Sequence, residues 1–282
     1  MDSSMTTSTK FLLAFVIIAT TISIKGLCAL NSDVVCIESE RQALLIRFKR
    51  HLKDPSNRLL SWTIQQDCCK WAGVVCNNLT GHVQKLHLRA LPSDYEDPFS
   101  RELNLGLKVG CLRYLNLSLA GFDGVIPHQL RNFSRLRYLI LGYNYYLESA
   151  TGHEWGKLEQ NMLLAAARVL DISGSSLSSL LRDWFFNTKG LVSLNLRDNS
   201  LRSPIPNGLL NISSTLVHLD LSYNDLNCTI PTWLYSFKRL ESLHLGFNSL
   251  QGVISSELQN LCNLKAIGLG ENRFCGKVSL SI

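Results

Sequence analysis

An α/β solenoid is the fold that this sequence predicts: right-handed and curved, with a parallel β-sheet on its concave face and a helical, disulfide-stapled cap at its N-terminus. Three observations predict it. A leucine phrase returns at near-constant spacing, an asparagine keeps phase with it, and a tight group of cysteines precedes the first repeat.

Composition narrows the choice before any motif is read. Leucine occupies 52 of the 282 positions, while only 18% of residues are charged. That much apolar side chain excludes a disordered chain, and the absence of a glycine period or a Glu/Lys-rich heptad run excludes collagen-like and coiled-coil chains. The net charge of +6 is spread along the chain without a basic block, so nothing calls for nucleic acid.

Residues 1–28 read as a secretory signal peptide. A polar start with one lysine (Lys10) leads into the apolar run Phe11 to Ile18, and small residues at Gly26 and Cys28 suit cleavage before Ala29. The apolar run is too short for a ~20-residue membrane span. Secretion sets the reading of the remaining cysteines. Cys36, Cys68, Cys69 and Cys76 are dense enough for disulfides in an oxidising compartment, and no second Cys or His pair at ligand spacing favours a metal. Cys111, Cys228, Cys262 and Cys275 are isolated and read as small buried hydrophobes. Five Asn-x-Ser/Thr sequons, at Asn78, Asn116, Asn132, Asn211 and Asn227, fit a glycoprotein.

Residues 29–79 form the N-terminal cap. Ser39 with Gln42 three residues on has the form of a capping box, Ala43, Leu44, Leu45, Phe48 and Leu52 make an apolar helix side, and Asp54-Pro55 ends it. Trp62, Trp71 and Val74 supply core around the cysteines.

Residues 80–282 hold about eight repeats. The central apolar residue of each L-x-x-L-x-L phrase falls at Leu86, Leu115, Leu139, Leu170, Leu194, Leu219, Leu243 and Ile267, with gaps of 29, 24, 31, 24, 25, 24 and 24. Five residues after the centre stand Asn144, Asn199, Asn224, Asn248 and Asn272. Two further on comes an apolar residue, then a recurring glycine (Gly124, Gly252, Gly276), then Ile-Pro at 126–127, 205–206 and 230–231. Alternating leucines point inward from a short strand. The asparagine amide bonds backbone groups of its own turn and of the next repeat, forming a ladder through the core. Glycine and proline turn the chain over the convex side. No unit buries its leucines alone, so both ends of the stack need caps.

The phrase LxxLxLxxNxLxGxIP resembles the plant-type extracellular leucine-rich repeat, and the likeness covers roughly residues 80 to 282. ALLIRFKRHLKDPSNRLLSW followed by CCKWAGVVC resembles the N-terminal cap of plant leucine-rich-repeat receptors and of polygalacturonase-inhibiting proteins. That resemblance implies the pairs Cys36–Cys68 and Cys69–Cys76. The phrases Asn260-Leu261-Cys262-Asn263-Leu264 and Asn227-Cys228-Thr229-Ile230-Pro231 resemble receptor-like proteins of elicitor perception. Residues 91–110 and 145–166 break the pattern. The chain reaches Ile282 inside its eighth repeat without a C-terminal cysteine cap, membrane helix or kinase, which leaves a truncated paralogue among the readings.

No catalytic constellation stands out. The seven histidines are dispersed, and GxSxG, HExxH, Walker and GxGxxG motifs are missing. The chain therefore reads as a binding protein without cofactor or metal, not an enzyme. Outward positions of the stacked strands make the binding face, and aromatic and arginine side chains are the favoured anchors. The candidates are Tyr143, Arg197, Asp198, Tyr223, His244 and Phe247. A glycan at Asn116 would block the second repeat, which shifts the expected ligand to repeats three and five to seven. The resemblance implies a cell-surface or apoplastic defence receptor-like protein. It would bind a protein or peptide elicitor and signal through a receptor kinase co-receptor, with membrane attachment through a segment absent from this chain. The alternatives are a secreted inhibitor of pathogen wall-degrading enzymes and a decoy fragment.

Overall fold

Leucines spaced two dozen residues apart meet across a sheet only if each repeat returns the chain to the same register, and they do. The computed structural model describes residues 34–52, 54, 57–89, 109–125, 130, 132–148, 166–177, 188–202 and 204–276. The expected signal peptide lies outside these residues, as does most of the irregular segments 91–110 and 145–166. The chain divides into two units, Met1–Val35 and Cys36–Ile282, and the second holds the cap and all the repeats.

The strands in chain order are β1 (Val74–Cys76), β2 (Val83–His87), β3 (Tyr114–Asn116), β4 (Asp123–Val125), β5 (Tyr138–Ile140), β6 (Tyr146–Glu148), β7 (Val169–Asp171), β8 (Ser193–Asn195), β9 (His218–Asp220), β10 (Ser242–His244), β11 (Gln251–Val253), β12 (Ala266–Gly268) and β13 (Arg273–Cys275). One sheet of nine strands runs β1-β2-β3-β5-β7-β8-β9-β10-β12. Its register pairs Leu86 with Leu115, Leu115 with Leu139, Leu139 with Leu170, and so on to Leu243 with Ile267. The eight repeat centres thus form one column. The two long spacings, 29 and 31 residues, leave that register intact because extra length is absorbed in the connections, where closing a longer loop costs little.

Two features differ from the reading of the sequence. The first strand belongs to the cap and runs antiparallel to β2, so the sheet is parallel only from β2 onward. On the far side of the repeats, where the sequence showed only turn glycines, β4 pairs with β6 and β11 with β13 in two short parallel ribbons. The convex side carries 3-10 turns at Asn207–Ile212, Thr232–Ser236 and Ser256–Asn260, the first two opening directly after Pro206 and Pro231. Proline has the fixed φ and missing N–H that suit such a start.

The cap forms as expected except at its first turn. Helix α1 (Glu38–Gln42) begins after Ile37 with no side-chain cap, and the helix continues in a widened π-type stretch over Ala43–Phe48. Ser39 therefore sits inside the helix and does not cap it. Glu40 instead anchors the helix from within: its buried carboxylate accepts from the Val83 backbone N–H at 2.7 Å and contacts His82 Nδ1 at 3.0 Å, tying the helix to β2. Trp62 stacks on Trp71 with ring centroids 5.1 Å apart, and both are buried with Phe48, Leu44 and Leu59. Two disulfides, Cys36–Cys68 and Cys69–Cys76, close the cap. The four sulfurs converge within 4.8 Å, a closeness those two bonds account for.

The asparagine ladder is present at every expected rung, but each amide reaches back to the preceding repeat and not forward to the next. Asn224 Nδ2 donates to Leu196 O and Leu221 O, both at 3.0 Å, while its Oδ1 accepts from Leu201 N at 3.1 Å. The amides of Asn144, Asn199, Asn248 and Asn272 bridge in the same way between their own repeat and the preceding one. Each amide satisfies backbone groups that the turn leaves unpaired in the core. In the second and fourth repeats the same position holds Ala120 and Ser175, both buried.

Replacing Asn224 by Ala strips partners from four backbone groups, two of them sharing its amide with a second acceptor, each costing up to ~1–3 kcal/mol when buried and unmet. The variant should lose about 3 kcal/mol, read as a lower urea midpoint at unchanged slope. Asn272→Ala, in a half-exposed rung, should lose about 1 kcal/mol in the same measurement.

Candidate functional site

The outward face of the sheet is built from a few columns of side chains, one member per rung. On either side of each buried strand centre, the flanking residues point away from the core. Three residues beyond the strand the backbone turns through left-handed space. Leu119, Tyr143, Asp198, Tyr223, Phe247 and Glu271 all have φ between 55° and 59°, and Gly174 has 54° at the matching place. Non-glycine residues avoid this region, at ~1–2 kcal/mol each. The turn is held because it lets successive rungs bond: Tyr223 N donates to Gly246 O at 2.9 Å and Asn224 N to Phe247 O at 3.1 Å. Four of the six expected binding residues, Tyr143, Asp198, Tyr223 and Phe247, lie in this one column.

Three of the expected residues are brought together. The Arg197 guanidinium lies 4.1 Å from the centre of the Tyr223 ring, and Tyr223 stacks on Phe247 at 4.1 Å with 18° between planes. Arg197 Nη1 also donates to Ser222 Oγ at 3.1 Å, which fixes the guanidinium. Tyr223 is 38% exposed and Phe247 48%, so this is a preformed strip of cation and aromatic faces open to solvent across three rungs. Such stacking contributes ~0.5–1.5 kcal/mol per aromatic pair and keeps the rings ordered before any partner arrives.

The other three stand apart. Asp198 is exposed in the rung that bears Arg197. His244 is half-buried in β10, and its ring occupies room left by Gly268, whose missing Cβ would lie 2.8 Å from His244 Nδ1. Tyr143 lies over Gly174, where a Cβ would fall 2.5 Å from the tyrosine ring, and meets Tyr145 edge-on at 6.2 Å.

The residues just after each strand centre are less available than the sequence implied. Asn116, Asp171 and Asp220 turn their side-chain oxygens back onto a serine two residues on, accepting from both its N–H and its hydroxyl, and Asn195 accepts from the Arg197 N–H. Asn116 is buried and its Nδ2 donates to the Tyr114 hydroxyl at 3.1 Å, so the nitrogen that a glycan would use is covered and already engaged. The sequon asparagines Asn78, Asn132, Asn211 and Asn227 are exposed.

A second aromatic group was overlooked by sequence reasoning. Tyr114 and Tyr138, each just before a strand centre, lie 5.9 Å apart, and His87 meets Tyr114 edge-on at 6.0 Å. Strand alternation puts this column on the same side as the one after the centre, and that rule would have found it. Among the groups whose ionisation the fold shifts, Glu241 is lowered, first by its hydrogen bond from Lys265. Cys228, in contrast, is pushed up by burial, which keeps the thiol protonated.

Comparison with known proteins agrees with this geometry. The leucine rich repeat N-terminal domain matches residues 37–77, and leucine rich repeat models match 166–226 and 239–261. Receptor-like protein EIX1 of Solanum lycopersicum is 33% identical over 150 residues, covering 40% of this chain and 14% of that protein. Receptor-like protein EIX2 of the same plant is 36% identical over 117 residues, 39% of this chain and 11% of its own. The chain thus matches only a small part of the length of either relative. Among solved structures, the Arabidopsis receptor kinase HAESA in complex with the peptide hormone IDA and the co-receptor SERK1 superposes with a TM-score of 0.64 at 26% identity. It matches over 84% of this chain and 42% of HAESA.

Replacing Tyr223 by Val places a β-branched side chain in the left-handed turn, whereas Asn tolerates that conformation. Tyr223→Val should be less stable than Tyr223→Asn by about 1–2 kcal/mol, seen as a difference in urea midpoint between two variants that both lack the ring.

Proposed function

We propose that this chain, which carries the leucine rich repeat N-terminal domain and repeats and is similar to plant receptor-like proteins, is the recognition part of a receptor-like protein at the cell surface. Its concave face takes a peptide or protein ligand, and a separate receptor kinase carries the signal in defence. The observation that supports this most is the strip Arg197–Tyr223–Phe247: exposed, stacked, and held by backbone that serves the core. Rigid aromatics with an arginine are what binding hot spots use, because little conformational freedom remains to be lost. No helix among the described residues is long and apolar enough to cross a membrane.

The likeness to a receptor kinase solved with a peptide hormone and a co-receptor makes a peptide the first ligand class to try. Panning a random peptide display library on the secreted chain should enrich clones that need this strip. Tyr223→Ala and Phe247→Ala should each weaken the enriched clones ~30-fold, while Val253→Ser, exposed in β11 on the far ribbon, should leave them unchanged. Clones that bind all three variants alike would place recognition elsewhere.

A further inference from the structure

The column that carries the aromatic strip reads acid, ring, ring, acid. Asp198, Tyr223, Phe247 and Glu271 stand on consecutive rungs at one phase of the repeat, all with left-handed φ and all exposed. Neighbouring rungs are ~4.8 Å apart, so the four side chains make one short row along the sheet. The two ends of the row differ in the residue that comes before the acid. Arg197 precedes Asp198, whereas Gly270 precedes Glu271.

That difference decides which ring faces are covered. The Arg197 guanidinium and the Phe247 ring each lie 4.1 Å from the centre of the Tyr223 ring, so they take its two opposite faces. Phe247 is covered on the Tyr223 side alone. Its far face looks toward the rung of Glu271, and among the described residues no ring or cation lies against it. The floor of that slot is bare backbone. A Cβ on Gly270 would meet nothing within 4 Å, and Gly246 and Gly268 leave two more positions nearby without side chains. Glu271 forms no ion pair among the described residues, and Lys265, a cation of the same rung, is engaged with Glu241 at 2.8 Å. An open ring face with an unpaired carboxylate one rung away is complementary to a cation.

We infer that the slot between Phe247 and Glu271 takes an arginine side chain of the peptide ligand, with its guanidinium on the Phe247 ring face and its N–H edge on the Glu271 carboxylate. This rests on the reading of the strip as the peptide-binding face. The molecule already contains the arrangement once: Arg197 lies over the Tyr223 ring while its Nη1 donates to Ser222 Oγ at 3.1 Å. A bound arginine adds one more layer to that stack, in the order Arg197, Tyr223, Phe247, ligand. The same chemistry selects arginine over lysine. A guanidinium is planar and weakly hydrated, so its face stacks on a ring while its edge makes a two-point contact with a carboxylate. An ammonium is a compact, strongly hydrated point charge that cannot do both.

The test titrates the full secreted chain with the end-blocked pentapeptide Gly-Gly-Arg-Gly-Gly, followed by nuclear magnetic resonance of the peptide. Versions with lysine or with citrulline, the uncharged analogue of arginine, at the centre should bind ~10-fold and ~30-fold more weakly. Glu271→Gln should weaken the arginine peptide ~10-fold and leave the citrulline peptide unchanged. Phe247→Leu, a residue type that this turn already accepts at Leu119, should also cost ~10-fold. Glu257→Gln, exposed on the convex turn Ser256–Asn260, should change nothing. Glu271→Lys should reject the arginine peptide and bind one with a central glutamate, a gain that a misfolded variant cannot show. No binding of the arginine peptide, equal binding of its lysine or citrulline versions, or full affinity in Glu271→Gln overturns the inference. Panning separates it from the reading it rests on. Library clones that need Tyr223 but carry no arginine keep the peptide-binding strip and overturn the arginine slot, and arginine binding at the slot without any strip-dependent clone does the reverse.

Discussion

Every element of this molecule depends on one constraint: a strand of three residues is not stable by itself. Its leucines are buried only when the rungs on both sides are present, and its backbone groups are met only by its neighbours. The sheet shows the size of this effect directly. Leu243, between two rungs, is 1% exposed, whereas Ile267, in the last strand of the sheet among the described residues, is 42% exposed at the same position of the repeat. The asparagine ladder is the polar form of the same dependence, since each amide bonds carbonyls of two successive repeats at once. Stability here is a property of adjacent pairs, and the cap exists to give the first rung a neighbour that is not a repeat. Glu40 does this chemically, by lending its carboxylate to the Val83 N–H.

The proposed binding face follows from how the core solves its own problem. For the asparagine to reach inward, the chain must turn immediately before it, and that turn passes through left-handed space at Tyr143, Asp198, Tyr223 and Phe247. The same turn presents the side chain at that position to solvent beside its counterpart on the next rung. Tyr223 and Phe247 can therefore stack at 4.1 Å, with Arg197 against the Tyr223 ring. Backbone conformation that is costly for one residue is held by the ladder around it, and the exposed rings inherit its rigidity.

Phase determines how much of this was legible in the sequence. Repeat centres, ladder asparagines and the cysteine cluster could be read because each is a residue type that the core needs at a fixed phase, and phase survives insertion. The strip at Arg197, Tyr223 and Phe247 was legible for the same reason, being counted from the strand centre. Tyr114 and Tyr138 were missed because only one flank of the strand was counted. The ribbons β4–β6 and β11–β13 were missed because their residues carry no periodic apolar signal, only a glycine that reads as a turn. Ser39 and Gln42 satisfied a local capping pattern, but the helix starts after Ile37 without a side-chain cap and is tied to β2 by the long-range bond to Glu40, which no local pattern contains.

Charge obeys different rules from packing on such a scaffold. A buried leucine answers to its two neighbours, so substitutions there are confined by the core. A residue two positions before the strand centre lies at the surface and is constrained chiefly by its counterparts above and below. In that column the chain holds an ion pair between Glu241 and Lys265 at one end and three like charges at Arg113, Arg137 and Arg168 at the other. Folding alone favours the first arrangement, because opposite charges on facing positions stabilise a sheet and like charges do not. The two patterns occupy the same structural position on the same scaffold, so the difference does not arise from what the fold needs.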